Sequence, residues 1–513
     1  MGSIKLDGNT LSSTEINLVS MGHKVEVATD AWIKVEAARG VVNRILESGE
    51  TVYGINTGFG ALVSESISAD DLGELQVNLI RSHACGIGEK MSIPDTRAMM
   101  CVRVNSLVKG HSGIKREVIE QIITYLNEDI IPVVPRIGSL GASGDLAPLS
   151  HMALSLIGEG EVWGENGPED TSIVLKRKGL IGVELSAKDG LSLINGTSQM
   201  CSFLSNADNV LANLLPMVDL IACASLEAKE CSIKPMDPRV HNARPHEGQT
   251  LVAERITSIM KNSKILESHA NCSRVQDAYS FRCTPQVHGA VLESYNKLSK
   301  TLSIEINSAT DNPLIFPNLS NPGPDEVVSQ GNFHGEVLAL CADNMSHALF
   351  ELASISERRI DQIVDPSRSD LPPFLAKNSG LESGMMIVHY VAAASLAEMH
   401  ARASPRSAFS TPTSGGQEDH VSMGATACWN LVESCTHLSQ VLACELLIAC
   451  EALEYRVAEP ANHVKGLYDL VRKISKPLAK DRSTSNEIEE IARQLMKGGW
   501  LARLEAEHGR LPR

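Results

Sequence analysis

The chain has 513 residues, 43% hydrophobic and only 4% aromatic, which suits roughly two to four average domains or one long helical body rich in Ala, Leu, Ile and Glu. A net charge of −16 argues against nucleic acid or anionic membranes as partners. The twelve cysteines form no C-x-x-C pair and several sit in apolar runs (Cys341, Cys444, Cys450), so reduced thiols of a cytoplasmic protein are expected, with no disulfide framework or zinc site.

Residues 1–25 mix charged and polar types without an apolar signal-peptide core. No uninterrupted apolar run reaches the roughly 18 residues of a membrane span, so a soluble protein is expected. Residues 3–6 read as a short strand, followed by helix with Ala37, Val41, Val42, Ile45 and Leu46 at helical spacing. Glycines 54, 58 and 60 then end the element in a loop that carries Tyr53, either a packing aromatic or a phenol placed on a lid as a base. Residues 70–130 read as helical, broken at 81–88, where His83 lies among small residues as a structural group or a pocket group.

The next stretch, Gly138-Ser139-Leu140-Gly141-Ala142-Ser143-Gly144-Asp145, has three glycines and two serines in its first seven residues, so the backbone can turn tightly. Ala142-Ser143-Gly144 also permits a rarer chemistry. If the Gly144 nitrogen attacks the Ala142 carbonyl carbon, a five-membered ring closes around Ser143. Loss of the Ser143 hydroxyl as water then leaves 4-methylidene-imidazole-5-one, an electrophile made without an external cofactor. By itself the tripeptide reads more simply as a glycine-rich loop before a helix over about 146–157.

Residues 161–184 alternate around Lys178-Gly179 and read as a small hairpin. Asn195 lies in a turn that opens a helix; capping is its simpler role, an amide hydrogen bond its functional one. Residues 200–230, 288–310, 332–365 and 420–456 are long apolar stretches almost free of Gly and Pro, which suggest a bundle core or an oligomer interface. Polar loops separate them at 232–250, 273–286 and 405–420. The tail from 459 suggests two helices, the last opened by a Thr484/Glu487 capping box. The expected fold is mainly α: a mixed α+β N-terminal domain over 1–200 that carries the Ala142-Ser143-Gly144 loop, then an all-helical bundle and C-terminal helical region over 201–513.

The loops hold the remaining candidates. Gln276, Tyr279 and Arg282 put an amide, a phenol and a guanidinium in one short segment, where the Arg could grip a carboxylate or form a buried ion pair. Phe333 and its neighbours begin a long helix. Glu418-Asp419-His420 precedes another, where acids are favoured at a helix N-terminus whatever the function. A metal site there is the weaker reading: the chain has no HExxH and no second His/Asp cluster at ligand spacing, and no phosphate-binding G-x-x-x-x-G-K-[ST] loop.

Taken together, YGINTGFG, GSLGASGDLAPL, LINGT, VQDAYSFRC, SATDNPL, GNFHGE and QEDHVSM, in unbroken order over residues 51 to 423, resemble the methylidene-imidazolone-dependent aromatic amino acid ammonia-lyase and aminomutase family. Within it the chain looks most like the histidine-specific members. Ser82-His83 matches their Ser-His, where phenylalanine enzymes have Phe-Leu and tyrosine enzymes His-Leu; Glu418 matches an acid where the others carry Gln. The resemblance implies elimination of ammonia from L-histidine to give trans-urocanate. It assigns the prosthetic group to Ala142, Ser143 and Gly144, the base to Tyr53, the substrate carboxylate to Arg282, and the surroundings of the group to Asn195, Gln276, Tyr279 and Phe333. His83 and Glu418 would meet the substrate, Glu418 as ring binder or second base.

The resemblance also implies a homotetramer whose sites combine residues from three subunits, with no metal. Ala278 departs from a frequent Pro of the histidine enzymes and Cys85 from a common Ala. The long C-terminal insertion of eukaryotic phenylalanine enzymes is absent. The same group could instead serve a tyrosine or phenylalanine lyase, or a 2,3-aminomutase. A helical oligomer without activity, or a lyase of the fumarase type, finds less support, since no S-S-x-M-P-x-K-x-N loop is present.

Overall fold

The computed structural model describes residues 2–57, 71–270, 275–318, 320, 323 and 326–513; Gly58 and Gly60 of the loop after Tyr53 lie outside these. The fold is mainly α. The four longest helices, Ser198–Ala228, Thr284–Glu305, Glu336–Val364 and Gly424–Leu453, fall on the four long apolar stretches, because side chains apolar on more than one face must be buried along most of their length. The first and last of these also have the length and apolarity of a membrane span. Their most apolar windows are 78% and 83% buried, as in core helices of a globular protein.

The chain divides into two compact units, and the division is discontinuous where composition suggested a single cut near 200. The first unit comprises Met1–Asn206, Leu298–Ala342 and Pro405–Trp429; the second comprises Ala207–Lys297, Asp343–Ser404 and Asn430–Arg513.

All the described strands belong to the first unit and make four two-stranded sheets: Ile4–Leu6 parallel to Val25–Val27, and three antiparallel pairs. Its central helix, Ile93–Val108, is buried along nearly its whole length. The helix starts where Ser92 accepts the Asp95 N–H at 3.1 Å, with Pro94 in the first turn, a position that needs no N–H donor. Two of its buried polar side chains tie it to distant segments: Arg97 donates to the Val19 carbonyl at 2.8 Å, and Asn105 to the Ile306 carbonyl at 2.8 Å.

Some local expectations give way here. The hairpin pairs Glu161–Gly164 with Gly167–Asp170, and the segment read as the arm leading into Lys178-Gly179 is the helix Thr171–Lys178. Asp170 accepts the N–H groups of Ser172 and Ile173, and Gly179 ends the helix in the left-handed conformation (φ +69°). Cap and stop signals thus outweigh the alternation of Ile173, Leu175, Ile181 and Val183. Residues 3–50 contain an extra helix, Ser13–Ser20, opened by a reciprocal Ser12/Glu15 capping box.

The second unit is helical. Its loop at 232–250 includes the helix Pro238–Asn242 and the start of Glu247–Ile259, and residues 279–286 are largely helical too. The tail has three helices, Asn462–Ile474, Ser485–Lys497 and Gly499–His508. Thr484 makes no cap bond, because Glu487 pairs instead with Arg482 at 3.0 Å. At the heart of the unit, fully buried Glu445 receives Arg359 through Nε at 2.5 Å and Nη2 at 3.0 Å, together with the hydroxyls of Ser225 and Ser356. The nearby Asp219 takes Arg255 at 2.5 Å and His288 Nδ1 at 2.7 Å.

Candidate active site

The loop 138–145 is held by close backbone packing. Gly141 (φ +70°) and Gly144 (φ +74°) adopt a conformation that disfavours side chains, and an added Cβ would lie 2.2 Å from Ser422 Oγ at the first and 2.3 Å from the Gly196 carbonyl oxygen at the second. The Gly141 carbonyl accepts the Gly335 N–H at 2.9 Å and the Ser422 hydroxyl at 3.0 Å, and the Leu140 carbonyl accepts the Met423 N–H at 2.8 Å. Ala142 packs on Val421 and Met423. Behind the loop, the Asp145 N–H donates to the Gly196 carbonyl at 2.8 Å, while its carboxylate accepts Ser139 Oγ and the Gln199 N–H, each at 2.8 Å. Burial pushes the Asp145 carboxyl up to about 6.

The loop opens on a cavity of about 820 Å³. Seven of the residues that the resemblance assigns to the site line it, Tyr53, His83, Ala142, Ser143, Asn195, Phe333 and Glu418, and so do Asp419 and His420. Gly144 sits behind them against Gly196. Gln276, Tyr279 and Arg282 belong to the second unit and are not among the lining residues. There Gln276 lines a separate depression with Lys229 and Arg368, and the Arg282 guanidinium lies 4.5 Å from the centre of the 71% exposed Tyr279 ring.

Asn195 takes the second of its two sequence readings. It ends the helix Asp189–Ile194, and its side-chain amide donates to the Ser143 carbonyl at 2.7 Å instead of capping the following helix. Its Oδ1 is buried with no protein partner. Fully buried Arg103 donates to the Asn195 backbone carbonyl at 2.9 Å, and burial lowers its guanidinium to about 10.

His83 ends the helix Leu72–His83, and its Nδ1–H donates to the Leu79 carbonyl at 2.8 Å, which leaves Nε2 as an acceptor. Burial holds this imidazole below its ordinary 6.5, so the neutral ring is favoured. Glu418 accepts the Ser143 hydroxyl on Oε1 at 2.7 Å and the Thr413 hydroxyl on Oε2 at 2.8 Å. The cavity wall therefore pairs a neutral imidazole acceptor with a carboxylate, both facing the space beside Ser143.

Two features were not read from the sequence. Thr413 reaches Glu418 because Ser414-Gly415-Gly416 turns the chain back on itself; the S-G-G signal was present in a segment read only as a polar loop. His334, Glu336 and His420 also converge, with ligand-type atoms all within 4.8 Å of one another. His420 lies 84 residues beyond Glu336, which hid the cluster from spacing rules. The two rings stack at 7°, and His334 Nε2 engages the His420 carbonyl at 3.2 Å.

Comparison with known proteins adds independent information. Residues 11–473 match the aromatic amino acid lyase family. A histidine ammonia-lyase of Myxococcus xanthus is 44% identical over 97% of this chain and 98% of its own. Among solved structures, histidine ammonia-lyase from Trypanosoma cruzi superposes with a TM-score of 0.91 at 37% identity, covering 98% of this chain and 95% of that one. A tyrosine aminomutase from Streptomyces globisporus superposes with a TM-score of 0.93 at 33% identity over the full length of both.

Proposed function

The chain belongs to the aromatic amino acid lyase family and is a carbon–nitrogen lyase, and from that premise we propose that it eliminates ammonia from L-histidine to give trans-urocanate. The observation that carries this reading is the placement of His83 on the cavity into which Ser143 opens. An imidazole side chain can satisfy its Nε2, whereas a phenyl ring would leave that acceptor unpaired at about 1–3 kcal/mol.

The residues present fit a 4-methylidene-imidazole-5-one built from Ala142, Ser143 and Gly144. Ring closure of the Gly144 nitrogen on the Ala142 carbonyl leaves the Ser143 carbonyl as the ring's keto oxygen, and that oxygen already accepts the Asn195 amide. The press of Gly144 on Gly196 leaves no room for a Cβ. When formed, the group supplies an electrophilic carbon that takes the substrate amine and makes its nitrogen a better leaving group.

Asn195 stabilises negative charge developing on the keto oxygen, as a preorganised donor does in a site of low polarity. Tyr53 takes the β-proton from the wall of the same cavity, which Phe333 also lines. His83 Nε2 accepts an N–H of the substrate ring. In a homotetramer with shared sites, Gln276, Tyr279 and Arg282 arrive from neighbouring copies, with Arg282 gripping the carboxylate; the exposed Tyr279 and the unpartnered, buried Arg282 Nε support this. The net charge of −16 and the lack of any C-x-x-C pair in the sequence support a soluble, cytoplasmic enzyme without nucleic-acid or membrane partners.

The likeness to the tyrosine aminomutase supports a second reading, a tyrosine or phenylalanine substrate or ammonia returned to the β-carbon. One experiment separates these. Purified protein is given L-His, L-Tyr and L-Phe, and product absorbance and free ammonia are followed. Urocanate with stoichiometric ammonia is expected. Coumarate or cinnamate without urocanate overturns the histidine assignment, and a β-amino acid product identifies a mutase.

A further inference from the structure

We propose that Thr413 is a positioning residue that aims Glu418 at the carbon end of the Ser143 side chain, a role that rests on the lyase reading above. The turn that carries it is narrow. Thr413 and Glu418 pair across it as an isolated antiparallel bridge, with the Thr413 N–H donating to the Glu418 carbonyl at 2.9 Å. Between them Ser414, Gly415 and Gly416 all have positive φ (+51°, +64° and +89°), so the two side chains are fixed opposite each other by the backbone alone.

The carboxylate is then held at both ends. Oε2 accepts the Thr413 hydroxyl at 2.8 Å and Oε1 accepts the Ser143 hydroxyl at 2.7 Å. These two bonds have different fates. The Ser143 hydroxyl leaves as water when the methylidene group forms, whereas the Thr413 hydroxyl takes no part in that chemistry. Maturation therefore frees an acceptor on Oε1 while Thr413 keeps Oε2 anchored.

Oε1 faces the atom attached to the Ser143 Cβ, the carbon that takes the substrate amine. A carboxylate held there accepts an N–H of the departing nitrogen and favours its release. This assigns the free oxygen of Glu418 to the amine end of the substrate and leaves the ring to His83. The Ser or Thr hydroxyl is the needed group, since a methyl of equal size has no proton to donate.

The test uses the purified protein in its native assembly and compares the parent with Thr413→Val and Thr413→Ser. The parent must first convert L-histidine to urocanate; failure there overturns the lyase reading and is seen before any variant is made. Thr413→Val should lose about tenfold or more in kcat with KM within about twofold, because a charge-assisted hydrogen bond has been removed. Thr413→Ser should return to within about threefold of the parent. Intact mass should show the loss of two waters in all three proteins, and their thermal midpoints should agree within about 2 °C.

Parental kcat in Thr413→Val overturns the proposal, as does a Ser variant no better than Val. A raised KM at unchanged kcat overturns it by placing Glu418 on the substrate ring. Retention of both waters in Thr413→Val overturns it by assigning Thr413 to maturation.

Discussion

Two glutamates show how differently the units treat a carboxylate. Glu445 in the second unit is wholly buried and takes two guanidinium nitrogens of Arg359 and two serine hydroxyls. Glu418 in the first is half-buried beside a cavity, takes only the hydroxyls of Ser143 and Thr413, and has no cationic partner among the described residues. Glu445 has spent its acceptor capacity inside the protein, and a group so matched holds the fold together. Glu418 keeps capacity for something that enters. Buried charge alone therefore does not identify a site; the difference lies in whether the partners are complete without a ligand.

The comparison can be broken by mutation, beginning with the greatest effect. Ser143→Ala removes the atom on which the prosthetic chemistry depends, so turnover should fall to background while the thermal midpoint stays within about 3 °C of the parent. Measurable urocanate formation would remove that chemistry from the account. Glu445→Gln leaves Arg359 buried with half its partner and should cost about 3–5 kcal/mol in chemical denaturation. Glu418→Gln should cost less than about 0.5 kcal/mol there while lowering kcat. Equal losses of stability in the two variants would erase the distinction.

His83→Phe should lower kcat/KM for L-histidine by about 10–100-fold, the equivalent of one unpaired polar group. Because burial holds His83 below its ordinary 6.5, the neutral ring predominates above pH 6.5, so the substitution should lower the pH–rate profile there with little change of shape. A limb near 6.5 that vanishes in the variant would show that His83 titrates in that range. The smallest effect contrasts two caps. Ser12→Ala removes a formed capping box and should cost about 1 kcal/mol, while Thr484→Ala should be neutral within about 0.3 kcal/mol, since Thr484 caps nothing. Equal costs would show that the two motifs act alike.

The caps also show what a local pattern can and cannot say. Ser-x-x-Glu at 12–15 and Thr-x-x-Glu at 484–487 offer the same chemistry, yet only the first closes, because Arg482 and Ser475 compete for Glu487. Likewise the alternation at 173–183 was overruled by Asp170 and Gly179. Signals of this kind depend on which of several neighbouring groups offers the better partner.

What the sequence determined by itself was the helical body and the chemistry-bearing loop. Long, largely apolar stretches almost free of Gly and Pro have few ways to be buried except as long helices, and glycines at 138, 141 and 144 allow a turn closed to other residues. The order of motifs from 51 to 423 carried the family as well. Tertiary structure alone decided which groups meet. Glu418 reaches Ser143 across 275 residues, Asn195 reaches its carbonyl across 52, and Gln276, Tyr279 and Arg282 fall in the other unit. Helical periodicity reports a face and composition reports a loop. The partner of a side chain is set by packing between segments far apart in sequence, and no local pattern encodes that distance.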